Sequence, residues 1–214
     1  TGATGFVGGT LVTLALAAGH EVRALTRRPQ HPRDGLIWVA GALDRADALA
    51  ALVAGADAVI HVAGVVNAPD RAGFAAGNVD GTAAMLAASD AARVRRFVHV
   101  SSLAAREPEL SDYGWSKAAA EVLVKASRLD WVMLRPPGVY GPGDTEFLDL
   151  FRIARRGLAI APGGRISLIE VSDLGRLLLA LATGTPPPHA IYEVDDGAAN
   201  GWSHTEFAHA IGAA

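Results

Sequence analysis

The chain has 214 residues, half of them apolar and 19% charged, with a formal net charge of −3, a profile that allows one domain with a sizeable core. No Lys/Arg cluster exceeds two or three residues, which with the slightly acidic balance excludes an electrostatic footprint for nucleic acid. Cysteine is absent, which excludes a disulfide framework, a thiol nucleophile and a thiolate metal site.

The chain opens on Gly2, Gly5 and Gly8, spaced three apart, and a helix over 11–18 follows and stops at Gly19. In such a loop the first glycine permits a tight turn, the second lets the backbone approach a pyrophosphate, and the third lets helix and strand pack closely. The phosphates then sit on the positive end of the helix. Gly2, Thr4, Gly5, Phe6 and Val7 are the candidate cofactor contacts. A dinucleotide fold needs a buried strand just before this loop; Thr1 stands directly in the motif, so the chain reads as a fragment of a longer protein whose first strand lies outside it. Residues 21–26 read as a strand. A carboxylate at its end would bind the ribose 2′-hydroxyl of NAD, whereas an arginine accommodates the 2′-phosphate of NADP. The residues there are Thr26, Arg27, Arg28 and Pro29, so NADP is expected, clamped by Arg27 first and Arg28 second, with NAD as the alternative.

A short strand over 36–39 precedes Gly41, Ala42 and Leu43 and a helix over 46–54, and residues 58–63 form a buried strand that ends at Gly64. Leu43, Val62, Ala63 and Gly64 are further candidate cofactor contacts. His61 and His99 lie inside apolar strands with no second ligand at metal spacing, so they read as core or cleft histidines. A helix over 81–92 leads to a strand over 96–100, whose carboxyl end carries Ser101 and Ser102, where ligands of such sheets bind. A helix over 113–127 opens with Tyr113 and Lys117, four apart and therefore on one face. A free tyrosine titrates near pKa 10, too high for efficient base catalysis at neutral pH, and a neighbouring ammonium favours the phenolate. Tyr113 can then protonate a carbonyl oxygen during reduction or deprotonate an alcohol during oxidation, beside a serine hydroxyl that holds the same oxygen. Lys117 can also hydrogen-bond the nicotinamide ribose, so that Tyr113 and Lys117 count among the candidate cofactor contacts too. The chain has seventeen arginines and two lysines, so a lysine at position 117 runs against its bias. Trp115, between the pair, packs or lines the pocket mouth.

A strand over 130–134 breaks at Arg135, Pro136 and Pro137. Beyond Gly143 the pattern loosens. A helix over 147–156 places Phe147 and Phe151 four apart, either packed or lining a cleft; an extended run over 166–171 and a helix over 173–182 follow. After the stiff turn at 185–188 comes a strand over 191–194, closed by Asp195, Asp196 and Gly197, which read as a turn. Ser203 and Glu206 form a capping box for the last helix. The expected division is a dinucleotide-binding domain over 1–143, lacking its first strand, and a small, incomplete substrate lobe over 144–214 interleaved with the end of the sheet. The alternation as a whole predicts an α/β fold, a doubly wound parallel sheet with crossover helices. The longest apolar run, 177–182, is too short to span a bilayer, so no membrane partner is expected and the expected location is cytoplasmic.

These residues resemble the extended branch of the short-chain dehydrogenase/reductase superfamily, the NAD-dependent epimerase/dehydratase family. The resemblance runs over nearly the whole chain: the loop from Thr1 to Gly8, the helix motif from Asn78 to Thr82, Ser101 with Ser102, Tyr113 with Lys117, the segment from Leu134 to Gly143, and the turn from Val171 to Leu174. It implies an NAD(P)-binding Rossmann fold with Tyr113 as acid/base, Lys117 as its partner and Ser102, rather than Ser101, as donor to the substrate oxygen. It also implies that Asn78 is structural or part of a proton relay, that Pro136 and Val139 lie along the nicotinamide, and that two copies dimerise through helices, one of them carrying Tyr113 and Lys117. The short interval between Ser102 and Tyr113, and Ala42 where the family often has an aspartate for adenine, depart from the family pattern. The expected reaction is hydride transfer between NADP(H) and a small-molecule carbonyl or alcohol. The alternatives are an NAD-dependent sugar-nucleotide epimerase or dehydratase, and a non-catalytic NADP(H)-binding sensor or assembly protein.

Overall fold

Strand β3 (Ala58–His61), β4 (Arg96–Val100), β5 (Asp130–Arg135) and β9 (Ala190–Glu193) pair in that order, all parallel, in a computed structural model that describes residues 1–145 and 164–212. Two strands earlier in the chain, β1 (Val22–Thr26) and β2 (Leu36–Ala40), form a separate parallel pair. Between β1 and β3 lies a cavity of about 810 Å³, lined by Val22 and Ala24 on one side and by Val59 and Ile60 on the other.

Helices cover both faces, so the interiors of the central strands are mostly apolar, as parallel strands buried on two sides require, with His61 and His99 as buried exceptions. All five residues of β4 are buried. On one face Val98, Val100, Val132 and Leu134 pack under α1 (Phe6–Ala17) and α6 (Val171–Thr183). On the other, Phe97, Trp131 and Met133 pack under α2 (Ala46–Val53), α4 (Gly81–Ala91) and α5 (Asp112–Ala126). Helix α6 buries Val171, Leu174, Leu178 and Leu181, a stripe at the spacing of one helix face. It crosses α1 closely because Gly175 has no side chain: a Cβ there would stand 2.7 Å from Leu14 Cδ1.

The remaining strands, β6 (Gly138–Tyr140), β7 (Arg165–Ile166), β8 (Leu168–Glu170) and β10 (Trp202–Ser203), pair as β6 with β8 and β7 with β10. With α7 (His204–Gly212) they enclose a small cluster of Leu168 and Phe207, against which Tyr140, Ile166 and Trp202 pack. The capping box forms as expected: Glu206 N donates to Ser203 Oγ at 3.1 Å and Ser203 N donates to Glu206 Oε2 at 2.7 Å. Asp195 and Asp196 accept from Gly197 N and Ala198 N, the expected turn. The helix expected over 147–156, with Phe147 and Phe151, lies outside the described residues.

Three boundaries differ from the sequence expectation by two residues or more. Helix α1 starts at Phe6, not residue 11, because Gly8 and Gly9 are helical in spite of their low propensity. The tertiary fold holds them there, since a Cβ on Gly8 would lie 2.0 Å from the Gly2 carbonyl oxygen. Strand β3 ends at His61, which leaves Val62, Ala63 and Gly64 in the following loop. Helix α6 starts at Val171 because Glu170 caps it, its carboxylate accepting from Ser172 N at 2.7 Å and Asp173 N at 3.2 Å. An unforeseen helical run also precedes α4: α3 (Arg71–Phe74) continues through a wide π turn over Ala75–Asp80. Among the described residues, no helix is long and apolar enough to cross a membrane.

Candidate active site

Because the sheet is parallel, the carboxyl ends of β3, β4 and β5 share one edge. The chain places Gly64, then Ser101 with Ser102, then Pro136 just beyond those three ends. The glycine loop is tied to the same edge through Thr1. Its backbone nitrogen donates to the Ile60 carbonyl at 2.9 Å, and its hydroxyl lies 2.8 Å from His61 Nδ1 and accepts from Ala63 N at 3.2 Å.

Within that loop Gly2 has φ +78°, a left-handed conformation that glycine adopts at no steric cost, and a Cβ there would come 2.8 Å from Ala63 N. Gly5 N donates to the Gly2 carbonyl at 3.0 Å, closing the turn, and Gly5 caps α1 without any side-chain acceptor. The first N–H groups of a helix have no acceptor within it. Here they belong to Phe6 and Val7, both half-buried, behind a cap residue, Gly5, that has no side chain to accept from them, an arrangement that fits the pyrophosphate of a dinucleotide. Thr4 is exposed at its rim. Arg27 and Arg28, both exposed, line a hollow of about 570 Å³ with Gln30, Trp38, Ala42 and Arg45. The turn that carries them is fixed by Thr26, whose hydroxyl donates to the Arg28 carbonyl at 2.7 Å. Leu43 is half-buried and packs on Gly81 and the core beneath α2 and α4.

Helix α5 is capped by Ser111, whose hydroxyl accepts from Gly114 N at 3.0 Å. Gly114 lets the turn over Leu103–Arg106 lie against the helix, since a Cβ there would meet the Ala104 carbonyl at 2.7 Å. That contact brings the Ser102 turn to the Tyr113 end of α5. The two serines are thereby distinguished. Ser101 is buried and donates to Glu121 Oε1 at 2.6 Å, whereas Ser102 is half-buried and its oxygen accepts from Ala104 N at 3.2 Å. Tyr113 is half-buried with its ring 6.1 Å from that of Phe74. Trp115, which follows it, lies under the Arg71 guanidinium at 3.9 Å.

Lys117 is buried, and its ammonium donates to the Val100 carbonyl at 2.7 Å. Burial pulls its pKa from 10.5 down to about 8, against the opposing attraction of Glu121. Gly64 approaches it closely: a Cβ there would stand 3.6 Å from Lys117 Nζ. His61 and His99 stack beneath at 5.6 Å, both buried, and burial holds their pKa values well below the usual range. Asn78, in the π turn, accepts from Val65 N at 2.6 Å and donates to the Val65 carbonyl and to Ser116 Oγ, both at 2.9 Å. Its amide therefore joins the loop after β3 to α5. Pro136 is buried, and its carbonyl accepts from Leu103 N at 3.0 Å; Val139 packs on the core beneath α1 and α6.

The fold thus gathers the glycine loop, Gly64, Ser102, Tyr113, Lys117 and Pro136 along one edge, with Arg27 and Arg28 at the end of β1. Sequence reasoning did not single out Glu121, although it stands four residues after Lys117 on the same helix, or Arg135, although it opens the Pro136–Pro137 segment. Among the described residues no cluster of three metal-ligating side chains occurs.

A model of the NAD(P)H-binding family matches residues 2–174. A ceramide reductase of Caulobacter vibrioides is 42% identical over 224 aligned residues, covering 100% of this chain and 70% of the relative. A UDP-glucose 4-epimerase of Vibrio cholerae is 27% identical, covering 92% of this chain and 70% of the relative. Among solved structures, MoeE5 in complex with UDP-glucuronic acid and NAD superposes with a TM-score of 0.82 at 28% identity, covering 96% of this chain and 78% of that one. With a parallel sheet whose carboxyl edge carries a glycine loop, these likenesses establish that the chain belongs to the NAD(P)H-binding family within the extended short-chain dehydrogenase/reductase superfamily, as an NAD(P)-dependent oxidoreductase.

Proposed function

We propose that the protein reduces a small-molecule carbonyl with NADPH, with Tyr113 as the acid and Lys117 as its charged partner. The observation that carries this reading is the fixed ammonium of Lys117, buried on the Val100 carbonyl one helical turn after Tyr113, at the edge where the glycine loop and Ser102 meet. When bound, the nicotinamide supplies the hydride. Tyr113 gives its phenolic proton to the carbonyl oxygen, so that carbonyl, hydride and proton sum to an alcohol. Lys117 stabilises the phenolate that remains. Ser102 donates to the same oxygen and holds it in place. Gly2, Thr4, Gly5, Phe6, Val7, Leu43, Val62, Ala63, Gly64, Pro136 and Val139 make up the cofactor wall.

The preference for NADPH rests on Arg27 and Arg28 at the end of β1, where no carboxylate stands to take a ribose hydroxyl. In this reading residues 1–143 serve the cofactor and 144–214 the substrate, the protein works in the cytoplasm, and α5 is the helix through which two copies pair, which light scattering checks.

The test is fluorescence titration with NADPH and NADH, then NADPH oxidation against a panel of ketones and aldehydes. A ceramide-class lipid heads the panel because of the 42% identical relative. Tighter NADPH binding and turnover on at least one carbonyl, lost in Tyr113→Phe with cofactor affinity retained, is the expected result. Preference for NADH would return sugar-nucleotide chemistry to the front, and unchanged turnover in Tyr113→Phe would remove that residue from its role.

A further inference from the structure

We infer that Glu121 is a positioning residue for this site, a buried carboxylate that locks the serine turn, the catalytic helix and the segment after β5 into one unit. The inference rests on the proposed reduction for its kinetic readout. Glu121 is only 2% exposed, one helical turn beyond Lys117. Its Oε1 accepts from Ser101 Oγ at 2.6 Å and from Arg135 Nε at 2.8 Å, and its Oε2 accepts from Arg135 Nη2 at 2.7 Å and from Lys125 Nζ at 3.5 Å. The Arg135 contact is a two-pronged fork, the geometry that fixes direction as well as distance. Arg135 is the last residue of β5, immediately before Pro136. Its Nη1 donates to Glu193 Oε1 on β9 at 3.0 Å, and Glu193 Oε2 accepts from Arg106 Nη1 at 3.4 Å, at the end of the turn that Ser102 begins.

The carboxylate thus joins three parts of the chain directly, α5, the serine turn and the end of β5, and reaches β9 through Arg135. A buried ion pair adds little net stability over a well-packed apolar pair, so what this one supplies is geometry. Ser101 is adjacent to the substrate-facing Ser102, and Glu121 shares α5 with Tyr113 and Lys117. Any change at Glu121 therefore shifts the serine turn relative to that pair. Among the described residues the ionisable groups around Lys117 are Tyr113 and Glu121 on α5, His99 on β4 and His61 on β3, of which Tyr113 is neutral until it gives up its proton. Both histidines are held neutral by burial, which leaves Glu121 as the counter-charge acting on Lys117.

The test compares wild type with Glu121→Gln, Glu121→Asp and Ser101→Ala. Misplacement of about 1 Å at a reacting centre costs about 10²-fold in rate, and a loss of that order in kcat is expected for Glu121→Gln, with the KM for NADPH little changed and partial recovery in Glu121→Asp. The alkaline limb of kcat/KM should also move to lower pH, because Glu121 raises the Lys117 pKa. A residue that only stabilises the fold would leave that limb in place. NMR titration of the Lys117 ammonium, about pH 8 in wild type, reads the same shift on the protein alone and holds even if no carbonyl proves to be a substrate, in which case the proposed reaction fails and this inference is still decided. If Glu121→Gln does not fold, Ser101→Ala decides the point: a fall in kcat supports the lock, and a wild-type kcat overturns it. A folded Glu121→Gln with wild-type kcat and an unmoved Lys117 titration overturns it outright.

Discussion

Lys117 carries its charge in a buried place, and that fixes the pH range of the chemistry. Its ammonium loses its proton near pH 8, so the support it gives a Tyr113 phenolate fades above that value. We expect kcat/KM for carbonyl reduction to fall as pH rises through about 8, read from a pH–rate profile of the free enzyme. General acid catalysis contributes about 10²–10⁴-fold, and Tyr113→Phe is expected to lose an amount in that range with NADPH affinity unchanged. At the cofactor end, Arg27 is exposed beside a hollow it shares with Arg28. Hydrogen bonds to charged groups contribute about 1.5–3 kcal/mol, so Arg27→Ala should weaken NADPH by roughly that amount and leave NADH affinity nearly unchanged, as comparative titration will show. Spacing along one helix made Tyr113 and Lys117 legible in the sequence, position at a strand end did so for Ser101 and Ser102 together, and only the family resemblance chose between the two serines. Glu121 was not legible. A glutamate mid-helix usually sits on a solvated face, and only the approach of Arg135 and Ser101, 14 and 20 residues away in the chain, makes this one a buried hub.

At the scale of elements, the glycine loop and α1 act as one piece. Gly8 is buried, and a Cβ on it would stand 2.0 Å from the Gly2 carbonyl oxygen, with backbone atoms on that side. Backbone cannot give way as a flexible side chain can, and overpacking of this kind costs about 1–3 kcal/mol. We expect Gly8→Ala to lower the urea midpoint accordingly and to weaken both dinucleotides together, in contrast to Arg27→Ala. The far end of α1 was read correctly from Gly19, which has φ +83° and whose N–H bonds the Leu16 carbonyl while His20 N bonds that of Ala15. The near end lies ahead of the expected start at residue 11, through two consecutive glycines that propensity alone disfavours in a helix. The close approach of the Gly2 backbone, which no local pattern reports, overrides that preference.

For the whole molecule, the buried ammonium links folding to pH. In the folded state Lys117 titrates near 8, below its usual 10.5. Between those values the unfolded chain binds more protons at this site than the folded one, so stability rises with pH across that window. Urea midpoints measured between pH 8 and 10.5 should therefore climb in the wild type, and this contribution should vanish in Lys117→Met. The same topology brings β9, from the C-terminal part of the chain, beside β5, and so carries Glu193 to Arg135. The C-terminal part of the chain is in this way joined to the earlier strands through one sheet.

By itself the sequence determined the α/β alternation, the parallel sheet, the dinucleotide loop and the Tyr113–Lys117 pair with Ser101 and Ser102 nearby, because each is written in local pattern: apolar runs of strand length, about 3.6 residues per turn for helices, three between the glycines. Only the tertiary structure decided which serine lies buried on Glu121 and which half-exposed at the edge, that Asn78 binds Val65 and Ser116, and that Lys117 sits in a place dry enough to lower its pKa. Those outcomes depend on which groups meet across a parallel sheet, and on the water excluded where they meet, neither of which is a property of neighbouring residues in the chain.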